Sequence, residues 1–67
     1  MSKFSERLKE LRNERQLSIL NLAKEIGVSD ATMCRWENGQ NDVKGKDLIK
    51  LANYFNVSSD YLLGIEN

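Results

Sequence analysis

The chain has 67 residues with ten basic and ten acidic side chains, no histidine and one cysteine, so its formal net charge is zero. A chain this short forms one domain, 1–67, buries only ~60% of its unfolded surface, and lacks histidine chemistry and a glycine-rich phosphate loop. It also lacks a run of ~18 apolar residues and a signal-peptide core, and its lone cysteine fits a reducing compartment. We therefore expect a cytoplasmic protein that is not an enzyme and has no cofactor, metal, small-molecule substrate or membrane partner.

Apolar spacing predicts an all-α fold of five helices, and modest β-branched content makes strands unfavourable. In chain order, the predicted helices span about residues 3–14, 19–26, 30–37, 45–55 and 59–63. Their inward-facing residues are Phe4, Leu8 and Leu11 in helix 1, Leu22, Ala23 and Ile26 in helix 2, and Leu48, Leu51, Ala52 and Phe55 in helix 4. The polar segment 40–44 is predicted to be a loop.

Three of the helix starts share one signature, in which a serine lies between two apolar residues, one directly before it and one four positions after it. The instances are Leu17-Ser18 with Leu22, Val28-Ser29 with Met33, and Val57-Ser58 with Leu62. A serine side chain accepts from the free N–H groups of the first helical turn, and the flanking apolar pair forms a hydrophobic staple. Helices 2, 3 and 5 are therefore expected to begin directly after these serines.

Helices 2 and 3 are separated by a very short turn that contains only Gly27, Val28 and Ser29. Gly27 stands where a helix end favours the left-handed conformation. Two helices joined through a short turn with glycine first are typical of a helix-turn-helix, here at about residues 18–38.

Helix 3 has two chemically different sides on a helical wheel. Met33 and Trp36 share the apolar side, so we expect Trp36 in the core rather than stacked on a base. The opposite side carries Asp30, Ala31, Cys34, Arg35 and Asn38. Arg35 is able to bond a guanine twice or a phosphate once, and Ala31 to touch a thymine methyl. A solvated helix face is the alternative interpretation.

The sequence resembles the Xre/Cro-type helix-turn-helix family, and within it the lambdoid phage repressors. The pieces that carry the resemblance are R-L-K-E-L-R (7–12), L-A-K-E-I-G-V-S (22–29), W-E-N-G (36–39), G-K-D-L-I-K-L-A (45–52) and S-S-D-Y-L-L (58–63). The resemblance covers nearly the whole chain. It implies a five-helix lambda-repressor-like fold, symmetric homodimers and double-stranded operator DNA as the partner.

The resemblance also implies roles for individual residues. It pairs Arg12 with Glu37 and thereby holds helix 3 against helix 1; two unrelated surface charges are the alternative. Base-reading positions fall on Asp30, Ala31, Cys34 and Arg35. Positions that bond the DNA backbone fall on Asn38, Gln40, Asn41 and Lys44, and the first turns of helices 2 and 3 (Ser18, Ile19, Ser29 and Thr32) offer N–H groups for phosphate.

Ile19 and Asp30 are among the residues that depart from the family pattern. Ile19 replaces a common glutamine that braces a phosphate or a base, so this contact is lost or passes to backbone N–H groups. The next residue, Leu20, lies off the apolar stripe and is either an exposed apolar spot or a protein contact. Asp30 is unusual near phosphates; it either accepts from a cytosine or favours the positive helix N-terminus.

The charge balance and the C-terminal region bear on partners. Asp42 and Asp47 interrupt the lysine stretch, so we expect weak non-specific DNA binding and a dimer on two half-sites. Tyr61, Leu63 and Ile65 are assigned to the dimer contact, although they could equally cap the core of the monomer.

The leading hypothesis is a phage or prophage repressor or Cro-like regulator. The alternative is a protein-interaction module on the same fold, such as an antitoxin or a regulator-binding protein.

Overall fold

The computed structural model describes residues 3–65, which form five α-helices and no strand. The helices are α1 (Lys3–Glu14), α2 (Ile19–Ile26), α3 (Asp30–Glu37), α4 (Gly45–Phe55) and α5 (Ser59–Leu63). The five predicted spans are confirmed at both ends, as is the loop at 40–44. Within the described part of the chain, no helix is long and apolar enough to cross a membrane.

The three serine caps explain why α2, α3 and α5 begin where they do. Ser18 Oγ accepts from the N–H of Asn21 at 3.0 Å, Ser29 Oγ from Thr32 at 3.1 Å and Ser58 Oγ from Tyr61 at 3.0 Å. All three serines have extended backbone angles, which is the geometry of a residue just outside a helix. The helix starts predicted from the serine signature are therefore confirmed.

The turn between α2 and α3 depends on the left-handed backbone of Gly27, whose φ is +87°. Its N–H donates to the carbonyl of Ala23 at 2.8 Å, which closes the end of α2. No atom would meet a Cβ at this position. Backbone conformation, rather than lack of space, is therefore the reason for glycine here.

The core draws on all five helices and surrounds the inner side of α3. Its apolar members are Phe4, Leu8, Leu11, Leu22, Ala23, Ile26, Met33, Trp36, Leu51, Ala52, Phe55 and Leu62. Trp36 is only 3% exposed and meets the ring of Phe4 edge-on at a centroid distance of 6.3 Å. The core placement of Trp36 is confirmed, and the opposite side of α3 is therefore turned to solvent. Leu48 lies at the edge of the core and is half-buried.

Candidate nucleic-acid interface

Arg12, near the end of α1, donates two hydrogen bonds to Glu37 at the end of α3. Arg12 Nε donates to Glu37 Oε2 at 2.6 Å, and Nη2 donates to Oε1 at 3.0 Å. The side chains are 14% and 3% exposed, respectively. The third guanidinium nitrogen, Nη1, donates to the carbonyl of Leu17 at 2.8 Å. One side chain therefore holds α1, α3 and the connection that leads into α2.

This pair is well suited to setting the direction in which α3 points. Two parallel bonds between planar groups restrict rotation as well as distance. The hydrogen bond that Arg12 donates to Glu37 raises the pKa of the Arg12 guanidinium, burial lowers this pKa by less, and the negative charge of Glu37 adds to the rise. The arginine thus keeps its charge throughout the ordinary pH range, and the orientation of α3 does not depend on its titration.

The four predicted base-reading residues, Asp30, Ala31, Cys34 and Arg35, are all exposed on the outer side of α3. Ala31, Cys34 and Arg35 are spaced three and four residues apart, so they share one ridge of the helix. Asp30 precedes this ridge, and its Oδ1 accepts from the N–H of Ala31 at 3.0 Å. The structure therefore brings these residues onto one solvent-facing surface, the probe face, with Met33 and Trp36 buried behind it.

An open groove of about 520 Å³ runs between the start of α3 and the start of α4. It is lined by four of the predicted phosphate-binding residues, namely Ser29, Thr32, Asn41 and Lys44. Asp42 and Asp47 line the same groove, while Val28 and Trp36 complete it. The groove is thus rich in hydrogen-bonding groups, but its single lysine faces two carboxylates.

The other predicted phosphate-binding residues lie outside this groove. Ser18 is exposed and caps α2, whereas Ile19 is half-buried and packs against the core. Any phosphate contact at Ile19 therefore falls to its backbone N–H. Asn38 and Gln40 are both exposed after α3, and their backbone N–H groups donate to Cys34 and Arg35 at 2.9 Å.

The C-terminal candidates divide between internal and external roles. Tyr61 is half-buried under Arg7, whose guanidinium carbon lies 4.2 Å from the ring centroid and whose Nη1 donates to the Tyr61 carbonyl at 2.9 Å. Leu63 is half-buried and lines a small groove of about 310 Å³ beside Phe4 and Val43. Ile65 is 63% exposed. Tyr61 therefore packs against α1, whereas Ile65 faces solvent.

Sequence reasoning missed two features of these surfaces. The contact between Arg7 and Tyr61 joins residues 54 positions apart, so no local pattern indicates it. The sequence indicates Asp42 and Asp47 only as residues that interrupt a lysine stretch, whereas the structure places both carboxylates in the groove with Lys44. The serine cap of α3 and the polar loop that follows the helix are the sequence signals from which this groove could have been predicted.

The arrangement of α2, a three-residue turn and a clamped α3 within a five-helix core defines a helix-turn-helix domain of lambda-repressor type. The chain belongs to the Xre/Cro-type helix-turn-helix family HTH_3, whose model matches residues 8–62. The resemblance noted in the sequence is therefore confirmed.

Individual relatives agree with this assignment. The chain is 37% identical over 60 residues to YqaE, an uncharacterized HTH-type transcriptional regulator of Bacillus subtilis (strain 168), covering 90% of this chain and 52% of YqaE. It is 31% identical over 60 residues to repressor protein C2 of Salmonella phage P22, covering 90% of this chain and 28% of C2. The chain thus spans about half or less of the length of these curated relatives.

Solved structures show the same fold. A crystal structure of the P22 c2 repressor protein in complex with synthetic operator 9T has a TM-score of 0.87 and 28% identity, covering 94% of this chain and 96% of that one. A transcriptional regulator from Listeria innocua has a TM-score of 0.89 and 31% identity, covering 96% of this chain and 60% of that one.

Proposed function

We propose that this chain is the sequence-specific DNA-binding domain of a transcriptional regulator of phage-repressor or Cro-like type, which inserts α3 into the major groove of double-stranded DNA. The observation that carries the proposal is the clamped α3, whose exposed side consists of Asp30, Ala31, Cys34 and Arg35. A rigid helix with short side chains beside one long donor is suited to approach base edges closely. The similar P22 c2 repressor forms a complex with a synthetic operator, which supports double-stranded DNA as the partner.

The groove beside α3 suits one DNA strand during this insertion. Ser29, Thr32, Asn41 and Lys44 line it next to the start of the helix. Hydroxyl and amide side chains and a lysine are common partners of phosphate oxygens. These contacts set the position of α3 along the duplex and carry no sequence information themselves.

Charge sets the expected strength of binding. The net charge is zero, and Asp42 and Asp47 lie in the same groove as Lys44. Because phosphate neutralisation supplies most non-specific affinity, a single domain is expected to bind DNA weakly. We therefore propose a homodimer on two half-sites about one helical turn apart, formed through Leu63 and Ile65 at the end of α5, and acting in the cytoplasm.

Binding to duplexes selected from a random pool tests this function, with two exposed groove residues as matched variants. Lys44→Gln should weaken binding to every sequence about equally and reduce the slope of log affinity against log salt by about one. Asp42→Asn should strengthen binding to every sequence, because it removes a repulsive charge. Failure to enrich any duplex, in a sample whose circular dichroism shows folded helices, would contradict the proposal.

A second candidate function is a protein-interaction module, and the exposed side chain of Leu20 favours it. Leu20 is 61% exposed near the start of α2, where a polar residue would suit DNA better. This function would be supported if a partner protein binds the unaltered chain but not Leu20→Ser, and if the selection from the random pool enriches no duplex. Unchanged DNA binding by Leu20→Ser would support the leading proposal.

A further inference from the structure

The end of α3 carries an asparagine that is followed directly by a glycine, Asn38-Gly39, and both residues are exposed. Asparagine is among the thermolabile residues of proteins, and a following glycine has no side chain to hinder attack by its nitrogen on the asparagine side chain. We infer that Asn38 is a site of spontaneous deamidation, that the last turn of α3 sets its rate, and that the product weakens DNA binding. Only the last of these statements rests on the proposed function.

The reaction needs only the chain itself and water. A bond forms between the Gly39 nitrogen and Cγ of Asn38, the bond from Cγ to Nδ2 breaks, and ammonia leaves with the proton of the Gly39 N–H. The product is a five-membered succinimide ring. Water then opens this ring in one of two ways. Cleavage of the new bond gives aspartate, and cleavage of the former peptide bond gives isoaspartate, in which the main chain runs through the side chain.

The folded backbone holds the two reacting atoms apart. A five-membered ring requires the Gly39 nitrogen to lie nearly eclipsed with Cβ of Asn38 about the Cα–C bond. The ψ of Asn38 is −2°, so the Gly39 nitrogen is eclipsed with the backbone nitrogen of Asn38 instead. The Gly39 N–H also donates to the carbonyl of Trp36 at 3.2 Å. The ring is therefore unable to close until the last turn of α3 opens.

This opening breaks a small set of backbone hydrogen bonds. Besides the bond from Gly39, the N–H of Asn38 donates to the carbonyl of Cys34 at 2.9 Å. The N–H of Gln40 donates to the carbonyl of Arg35, also at 2.9 Å. Helix ends with such exposed bonds open locally while the rest of the domain stays folded. Each bond should slow the reaction about fivefold, so the folded chain should react about a hundredfold more slowly than an unfolded peptide.

The fold itself requires the glycine that makes Asn38 labile. Gly39 has a φ of +74°, a left-handed conformation that residues with a side chain rarely adopt. The residue on the other side, Glu37, is 2% exposed and accepts from Arg12 at 2.6 and 3.0 Å. Opening is therefore confined to the chain that follows Glu37, and the same turn that directs the loop away from α3 contains the reactive pair.

Either product changes a position that faces phosphate in the proposed complex. The amide of Asn38 is able to donate to a phosphate oxygen, whereas a carboxylate has no donor and repels it. The new charge also lies at the C-terminal end of α3, where the helix dipole disfavours it. Isoaspartate in addition lengthens the main chain by one carbon ahead of the loop that carries Lys44. The modified chain should therefore bind every duplex about tenfold more weakly at low salt.

The chemical part is tested by ageing the full chain at mildly alkaline pH, with a synthetic peptide of residues 33–43 as the unfolded reference. Peptide mapping with mass spectrometry locates the product, because replacement of the amide NH2 by OH raises the mass. Residue 38 should be modified about a hundredfold more slowly in the folded chain than in the peptide. In urea that unfolds the chain, the two rates should become equal.

Asn56 is the matched control within the same chain. It is exposed at the end of α4, but the residue that follows it, Val57, is branched and donates its N–H to Ala52 at 2.9 Å. We expect no product there. Equal rates at residue 38 in the folded chain and the peptide would overturn the protection assigned to the last turn of α3. An unmodified residue 38 in the unfolded chain would overturn the site itself.

The effect on DNA is tested with a duplex selected from a random pool. Ion exchange separates the aged chain into unmodified and modified fractions, and the modified fraction should bind about tenfold more weakly. Asn38→Gln keeps an amide but would have to close a six-membered ring, so its own affinity should not fall with ageing. Equal affinity of the two fractions would overturn the effect on DNA. If the folded protein selects no duplex, the proposed function fails together with that effect, while the mass measurements still decide whether Asn38 is modified.

Discussion

Two arginines of α1 hold other helices in place by different chemistry. Arg12 bonds the carboxylate of Glu37 through two nitrogens and ties α1 to α3. Arg7 lies over the ring of Tyr61, bonds its carbonyl oxygen and ties α1 to α5. The first contact joins two full charges, one of them on a side chain that is 3% exposed. The contact of Arg7 with Tyr61 joins one charge to a carbonyl dipole and a ring.

The difference follows what each helix does in the proposed function. The helix that enters a groove needs a defined angle, and a planar, two-point contact supplies it. A short terminal helix needs only to stay attached to the core, and a carbonyl bond with a ring contact is sufficient. The α1–α3 contact should therefore govern both stability and DNA binding, and the α1–α5 contact chiefly stability.

The largest expected loss in the free energy of unfolding is that of Arg12→Ala. It leaves the Glu37 carboxylate buried without its partner, which typically costs about 3–5 kcal/mol. A domain of this size has a free energy of unfolding of only a few kcal/mol, so most of the variant should be unfolded at 25 °C. Urea unfolding followed by circular dichroism at neutral pH measures the loss.

The double variant Arg12→Met/Glu37→Leu is its control. Removing both charges leaves no unpaired carboxylate, and similar buried pairs have been replaced by apolar groups at little cost. The double variant should therefore be clearly more stable than Arg12→Ala. Equal instability of the two variants would show that the pair is not the source of the effect.

The next largest loss of stability is expected for Gly64→Ala, which tests how closely the end of α5 approaches α1. Gly64 closes α5 with a φ of +73°, and a Cβ there would overlap Cβ of Lys3. Gly27 has a similar φ of +87° and open space around it. Both changes to alanine meet left-handed strain of about 1–2 kcal/mol, and Gly64→Ala adds about 1–3 kcal/mol of overpacking. Equal losses in chemical unfolding would mean that the α1–α5 contact adjusts freely.

The smallest effect is expected for Arg7→Ala. The contacts of Arg7 with Tyr61, which this change removes, are a hydrogen bond to a carbonyl and a cation–ring contact, and together they contribute about 1–2 kcal/mol. The DNA affinity of the folded fraction should stay within twofold of that of the unaltered protein, because the Arg12–Glu37 pair still holds α3 against α1. A stability loss as large as that of Arg12→Ala, or a loss of binding in the folded fraction, would contradict the distinction drawn between the two arginines.

The helices were predictable because their signals are local. Each serine cap, staple residue and turn glycine acts within about one helical turn of its own position, so Ser18, Ser29 and Gly27 indicate the helix-turn-helix from their neighbours alone. The buried side of α3 was also readable, since helical spacing places Met33 and Trp36 together. The Arg12–Glu37 pair, in contrast, came from family resemblance.

The amino-acid sequence by itself determined the number, ends and inward sides of the helices, because capping and periodicity involve residues close together in the chain. Only the tertiary structure decided which groups face each other across the molecule. It buried Ser5, turned Asp30 onto its own helix and placed Asp42 and Asp47 beside Lys44; among residues 3–65 it gave Arg35 no carboxylate partner. These outcomes depend on the angles at which packed helices cross, and such angles are set by the whole core at once.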